Sequence, residues 1–170
     1  MIGSRTIAGH SAITRGSMKS LELKIPPPLL ALVLAVGMWG LSWCEPHFAL
    51  PDPARWIAAI VIALTGGSFT ARAMLTFRRF KTVINPMTPG KTSSFVTSGV
   101  YRVTRNPMYV GVALVLVAWA VFLGAPWPIV GPVFFVLYVT RFQIEPGERI
   151  LAGLFGEEYS AYLARVRRWL

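Results

Sequence analysis

Apolar positions in this chain gather into four blocks, separated by charged or proline-rich breaks. The first runs from about Leu29 to Trp43 behind Pro26-Pro27-Pro28. Prolines suit a helix start, because the first turn needs no amide donors. Before it, Leu21-Glu22-Leu23-Lys24-Ile25 alternates polar and apolar residues and reads as an interfacial segment; after it, Glu45-Pro46 stops the helix. Pro51-Asp52-Pro53 opens the second block, from about Ala54 to Leu75, with a helical continuation as far as Phe80. Gly66-Gly67-Ser68 at its middle would let a neighbouring helix approach closely. Asn106 to Thr140 is a run of 35 residues without a charged side chain. As one helix it would reach roughly 50 Å, against a hydrocarbon core of about 30 Å. Gly124-Ala125-Pro126-Trp127-Pro128 therefore predicts a tight hairpin, with spans from about Pro107 to Leu123 and from about Trp127 to Thr140.

Charge strengthens this picture. Sixteen of the seventeen cations fall before the first block, between Arg72 and Arg105, or after Thr140; Arg55 alone lies on the other side. The positive-inside rule then places both termini in the cytoplasm. The chain is 54% hydrophobic with a positive mean hydropathy, too apolar for an ordinary soluble domain. Its net charge of +10 flanks apolar runs, so it speaks for anionic headgroups and against nucleic acid. The expected fold is an all-α polytopic membrane protein. It has about four transmembrane helices, including a short C-terminal helical hairpin, plus a cytoplasmic C-terminal helix. Residues 1–18 read as a disordered N-terminal extension, with Met18 an alternative start, and residues 19–170 as a single domain. Cys44 has no disulfide partner, and His10 and His47 stand outside any ligand spacing, so no metal site is expected.

The chemistry-bearing residues lie beside the hairpin. Gly99-Val100-Tyr101-Arg102-Val103-Thr104-Arg105-Asn106-Pro107-Met108-Tyr109 leads into the third span out of a turn-rich loop beginning at residue 82. By themselves, Asn106 and Pro107 read as a helix cap and first helical position, and Arg102 and Arg105 as cations that flank a membrane. After the fourth span, Glu145-Pro146-Gly147-Glu148 opens a helix. Ile150, Leu151, Leu154 and Phe155 form its apolar stripe; Gly156 interrupts it, and it resumes through Tyr159 and Tyr162 to Trp169. The hairpin should bring Arg105 and Glu148 together. A pocket walled by those two, with Tyr101, Tyr109, Tyr159 and Tyr162 around it, suits a zwitterionic, ring-bearing molecule. S-adenosylmethionine is such a molecule, and residues 82–170 are then the cofactor-binding half.

Several linked blocks carry a family resemblance. They are Phe95-Val96-Thr97-Ser98-Gly99-Val100-Tyr101, Arg105-Asn106-Pro107-Met108-Tyr109-Val110-Gly111, Glu148-Arg149-Ile150-Leu151, Phe155 to Tyr162, and Arg165-Val166-Arg167-Arg168-Trp169. In this order the chain resembles the isoprenylcysteine carboxyl methyltransferases, integral membrane enzymes related to the membrane phospholipid methyltransferases. The N-terminal spans match only in hydropathy. The resemblance implies S-adenosylmethionine as methyl donor, bound on the cytoplasmic side between the Arg-X-Pro turn and the Glu-bearing helix. It also implies that Arg105 positions a carboxylate of acceptor or cofactor, and that the Pro107 turn shapes the cofactor pocket. Two positions depart from the pattern. Asn106 stands where eukaryotic members have histidine, which excludes a general base there. Gly147 stands at the first of a usual glutamate pair, leaving Glu148, with Glu145 one turn earlier.

The expected activity is methyl transfer to a lipophilic acceptor entering from the bilayer, beside the Gly66-Gly67 face. Arg105 and Glu148 form the catalytic pair. Tyr101, Asn106, Pro107, Tyr109, Glu145, Tyr159 and Tyr162 surround the cofactor, with Glu148 or Glu145 on its amino group. Acceptors open at this point are a prenylated-cysteine carboxylate, phospholipid amines, isoprenoid acids and small hydrophobic thiols. The alternatives are a membrane reductase using a reduced nicotinamide cofactor and a non-catalytic membrane scaffold. Charge-free spans argue against an ion or proton path.

Overall fold

The computed structural model describes residues 23–44, 52–80 and 97–170. The N-terminal extension, the Glu45-Pro46 stop, the loop from 82 to 96 and the Phe95-Val96 pair lie outside the described residues. Helix α1 spans Pro27–Ser42, α2 Asp52–Phe80 and α3 Pro107–Leu123. A 3₁₀ turn at Trp127–Ile129 leads into α4, Val130–Val139. A π-helical turn, Thr140–Ile144, joins α4 to α5, Glu145–Arg165. No strand forms among the described residues; one isolated parallel bridge joins Thr104 to Arg167.

The hairpin turns where the sequence predicts. Gly124 ends α3 with φ +68° and donates its N–H to the carbonyls of Ala120 and Val121. Left-handed backbone of this kind favours glycine. Leu30 and Met38 of α1, Leu116 and Ala120 of α3, and Phe135 and Val139 of α4 pack into one core. Trp119 secures α3 to α1 by donating its indole N–H to the Ala35 carbonyl at 3.0 Å. Helix α2 packs along α3 through glycine. A Cβ on Gly66 would stand 2.6 Å from the Gly111 carbonyl oxygen, and one on Gly111 would stand 2.5 Å from the Gly66 carbonyl oxygen. That contact fills the Gly66 face with α3, so the acceptor path expected there is closed at Gly66; only Gly67 is open.

Two helix boundaries differ from the sequence reading. The fourth apolar span ends beside Thr140, with α4 closing at Val139, but the chain does not leave the helix there. The chain stays helical because the Glu145 N–H reaches back five residues to the Thr140 carbonyl. Pro146, which has no N–H to donate, follows directly, so the wider turn absorbs the register change it imposes. Helix α5 also stops at Arg165 and does not run to Trp169. Val166 is extended, with φ −121° and ψ 133°, because the tail finds hydrogen-bond partners beside Thr104 and Arg105. The expected break at Gly156 is present as a kink, with φ 50° and ψ −121°.

Among the described residues, two helices are long and apolar enough to cross a membrane, Asp52–Thr76 and Trp127–Arg165; Pro27–Ser42 and Pro107–Leu123 are shorter apolar helices. Leu32, Ile57, Leu64 and Leu137 point outward, each more than 60% exposed. Such a surface is suited to hydrocarbon.

Candidate functional site

The site is assembled at one end of the α2–α3 pair. A 3₁₀ turn, Gly99–Arg102, packs against the end of α2. Gly99 adopts φ +62°, and a Cβ there would come within 3.3 Å of the Thr76 hydroxyl. This turn buries Tyr101 beside Ala73, Val100 and Met108. Thr104 follows, fully buried, and Pro107 starts α3 beneath it.

The C-terminal tail closes over this segment. The Arg105 N–H donates to the Arg167 carbonyl at 3.0 Å. The Arg168 carbonyl accepts from the Thr104 hydroxyl at 3.2 Å and from Asn106 Nδ2 at 3.0 Å. Asn106 therefore occupies the N-cap position of α3 without a side-chain cap. Its amide spends a donor on the tail, and its backbone N–H is satisfied by the Thr104 hydroxyl at 3.2 Å. Trp169 anchors the tail by donating to the Thr140 hydroxyl at 3.2 Å.

Against this double layer stands the first turn of α5. Glu148 Oε1 lies 3.2 Å from Arg105 Nη1. Oε1 also accepts from Arg168 Nε at 3.3 Å, and Oε2 from Arg168 Nη2 at 2.6 Å. Glu145 Oε2 accepts from Arg141 Nη1 at 3.0 Å, and Oε1 lies 3.9 Å from Arg168 Nη1. Three guanidinium groups thus meet two carboxylates, leaving one net positive charge. Arg105 and Glu148 have side chains only 14% and 16% exposed, so their attraction is less screened than at an open surface. Arg105 Nε is buried with no hydrogen-bond partner. Arg168 is held more firmly protonated than usual, first by its hydrogen bond to Glu148, against an opposing effect of burial.

The aromatic residues lie behind this cluster. The Tyr162 hydroxyl donates to the Tyr101 carbonyl at 2.7 Å, and the Tyr159 and Tyr162 rings are 6.2 Å apart. All three tyrosines are buried. Burial first, then Tyr162 and Tyr109, push the Tyr101 phenol above its ordinary range. That group stays protonated at physiological pH. Tyr109 packs against the α1–α3–α4 core instead.

The structure therefore brings Arg105, Glu148, Glu145 and Asn106 together at the surface of the cluster, with Tyr101, Tyr159, Tyr162 and Pro107 behind them. Both oxygens of Glu148 are taken by arginines. Sequence reasoning missed Arg168, Arg141 and Thr104 as members of the cluster. Arg168 lay within a recognised block, but a helix running to Trp169 gave it no reason to turn inward. The arrangement can bind an anionic group on a fork of guanidinium donors, next to buried aromatic rings. Among the described residues, no group of three His, Cys, Asp or Glu side chains stands close enough to hold a metal ion.

Comparison with known proteins agrees with the resemblance read from the C-terminal blocks. Residues 54–158 match the family described as phospholipid methyltransferase, and the chain belongs to that family. The match begins in α2, further toward the N-terminus than the quoted motifs. A 63-residue stretch, 37% of this chain, is 41% identical to an uncharacterized protein of Haemophilus influenzae and covers all of it. No solved structure matches the chain.

Proposed function

We propose that this member of the phospholipid methyltransferase family is an integral membrane, S-adenosylmethionine-dependent enzyme that methylates a lipophilic acid, such as the carboxylate of a prenylated cysteine. The observation that carries the reading is the Arg105–Glu148–Arg168 cluster with its unspent positive charge. The four apolar helical segments cross the bilayer in this reading, with α5, the cluster and both termini on the cytoplasmic side. The distribution of cations in the sequence supports that orientation.

The residues fit the cofactor. Arg105 has a buried Nε without a partner, and the excess cation suits the carboxylate of an amino-acid moiety. Glu145, about one-third exposed, is the acid better placed to take an ammonium group, because it is more open than Glu148 and its contact with Arg168 is longer, at 3.9 Å. Tyr159 and Tyr162, both buried, back the cluster, and the Tyr162–Tyr101 hydrogen bond braces it from behind. When bound, S-adenosylmethionine supplies an electrophilic methyl group on a sulfonium. Arg105 and Arg168 bind and orient the anionic groups, Glu148 fixes both guanidiniums, and the tail with Trp169 limits access of water. A carboxylate acceptor is already ionised at neutral pH, so the site needs to align reactants and exclude water rather than remove a proton. An ammonium-bearing acceptor would have to lose a proton first, and both acids of the cluster are paired with arginine.

Purified protein incubated with radiolabelled methyl donor and a membrane lipid extract tests the proposal. The expected product is a lipid methyl ester that releases labelled methanol in alkali. Alkali-stable label on a phospholipid amine would overturn the acceptor assignment. Calorimetric binding of reduced nicotinamide dinucleotide, without binding of S-adenosylhomocysteine, would overturn the reaction class.

A further inference from the structure

The direction in which Glu148 points depends on the π turn ahead of it. Each residue of an α-helix turns the chain by about 100°. Thr140–Ile144 closes on a bond from the Glu145 N–H to the Thr140 carbonyl, and so takes up about one residue more than an α-helical turn. Helix α4 is fixed in the core by Phe135 and Val139. Continued from there as ordinary helix, the same sequence would carry Glu148 about 100° further round α5. It would leave the side that faces Arg105 and Arg168, whose guanidiniums it meets at 3.2 and 2.6 Å.

Pro146 opens the turn, and the chain ahead of α1 holds it. Because Pro146 has no N–H, the carbonyl four residues earlier, at Phe142, loses its helical partner. Leu23 replaces it, donating its N–H to the Phe142 carbonyl at 3.0 Å. Leu23 does so at φ +59°, the one left-handed backbone on a non-glycine among the described residues. A leucine keeps that shape only where its surroundings dictate it. Two residues on, the Ile25 carbonyl accepts from Gln143 Nε2 at 2.9 Å. Gln143 is 3% exposed, and its Oε1 is buried with no hydrogen-bond partner. An apolar side chain would avoid that unpaired oxygen, so what glutamine adds here is the donor to Ile25. Ile25 itself packs on the α1–α3–α4 core. Two neighbouring residues of the π turn are therefore gripped by one three-residue segment.

We propose that Leu23–Ile25 is a strap that locks the π turn, and that Gln143 is a positioning residue for the candidate site. Neither touches the cofactor or the acceptor. They set the rotation of α5, which aims Glu148, and Glu148 holds Arg105 and Arg168. The consequence for ligand binding rests on the methyl-transfer reading; the control of helix rotation does not.

Double variants of the full chain in detergent, read by thermal unfolding, test the strap. A tether that only adds stability would leave the effect of Glu148→Gln the same in every background. Leu23→Pro removes the N–H and forbids a positive φ, and Gln143→Leu removes the side-chain donor. In either background the midpoint shift caused by Glu148→Gln should fall below about half its value in the unaltered chain, because the carboxylate no longer faces its guanidiniums. Leu23→Gly keeps the N–H and suits the left-handed backbone, so it should preserve the full shift. An undiminished shift in Gln143→Leu would overturn the proposal, whether or not Leu23→Pro folds. Calorimetric titration with S-adenosylhomocysteine supplies the second readout. Gln143→Leu should weaken binding by about tenfold or more, the scale of a misplaced binding group, and Leu23→Gly should leave it unchanged. Unchanged affinity in Gln143→Leu would overturn its role in the site. A diminished shift in a protein that never binds S-adenosylhomocysteine would uphold the strap and overturn the methyl-transfer reading, so the two failures are distinguishable.

Discussion

Arg168 reaches Glu148 from twenty residues further along the chain, with Nη2 2.6 Å from Oε2. This contact makes the C-terminal tail part of the candidate site. The carbonyl of the same residue is held by Thr104 and Asn106. One residue therefore ties the α5 carboxylate to the start of α3, and Glu148 in turn holds Arg105.

Glu148→Gln should destabilise the protein by about 1–3 kcal/mol, since it leaves two part-buried guanidiniums facing each other without their carboxylate. Thermal unfolding in detergent checks this. Glu145→Gln should cost less, because its partners are more exposed.

Arg105→Ala should lower methyl transfer by about a hundredfold or more, the usual scale for losing a preorganised donor to a reacting group. The fold should survive, because Glu148 keeps Arg168. An unchanged helical circular dichroism spectrum with turnover at the level of the unaltered protein would refute the assignment.

Gly111→Ala should destabilise by about 1–3 kcal/mol, as overpacking of a tight contact does. Its new methyl group would meet Thr70 and the Gly66 backbone. Gly67→Ala, with open space around it, is the control and should leave the unfolding midpoint unchanged or slightly raised.

Tyr162→Phe should cost about 1–3 kcal/mol, because the buried Tyr101 carbonyl loses its 2.7 Å donor. The same variant should weaken binding of S-adenosylhomocysteine by loosening the 99–102 turn. Calorimetric titration beside a thermal scan separates the two effects.

Much of this fold was legible before any coordinates. Pro26 to Pro28, Gly124 and Pro107 are local signals, and α1, the hairpin and α3 lie where they point. The meeting of Arg105 with Glu148 also followed from local features, since a tight hairpin returns the chain to its starting level. The π turn was not legible. Pro146 reads in sequence as a helix start, whereas the chain is helical through it, with Gln143 and Ile144 buried in the bundle. Gln143 Nε2 donates to the Ile25 carbonyl at 2.9 Å, a partner 118 residues away.

What the sequence determined by itself is the placement of apolar spans, turns and cations, because hydrophobicity, proline and glycine act over a few neighbouring residues. What only the tertiary structure decided is which charges share a partner. Arg168 turns inward because Thr104 and Asn106 offer donors to its carbonyl and Glu148 an anion to its side chain. Those partners lie on two segments far from each other and from the tail in sequence, and only folding gives them a common position.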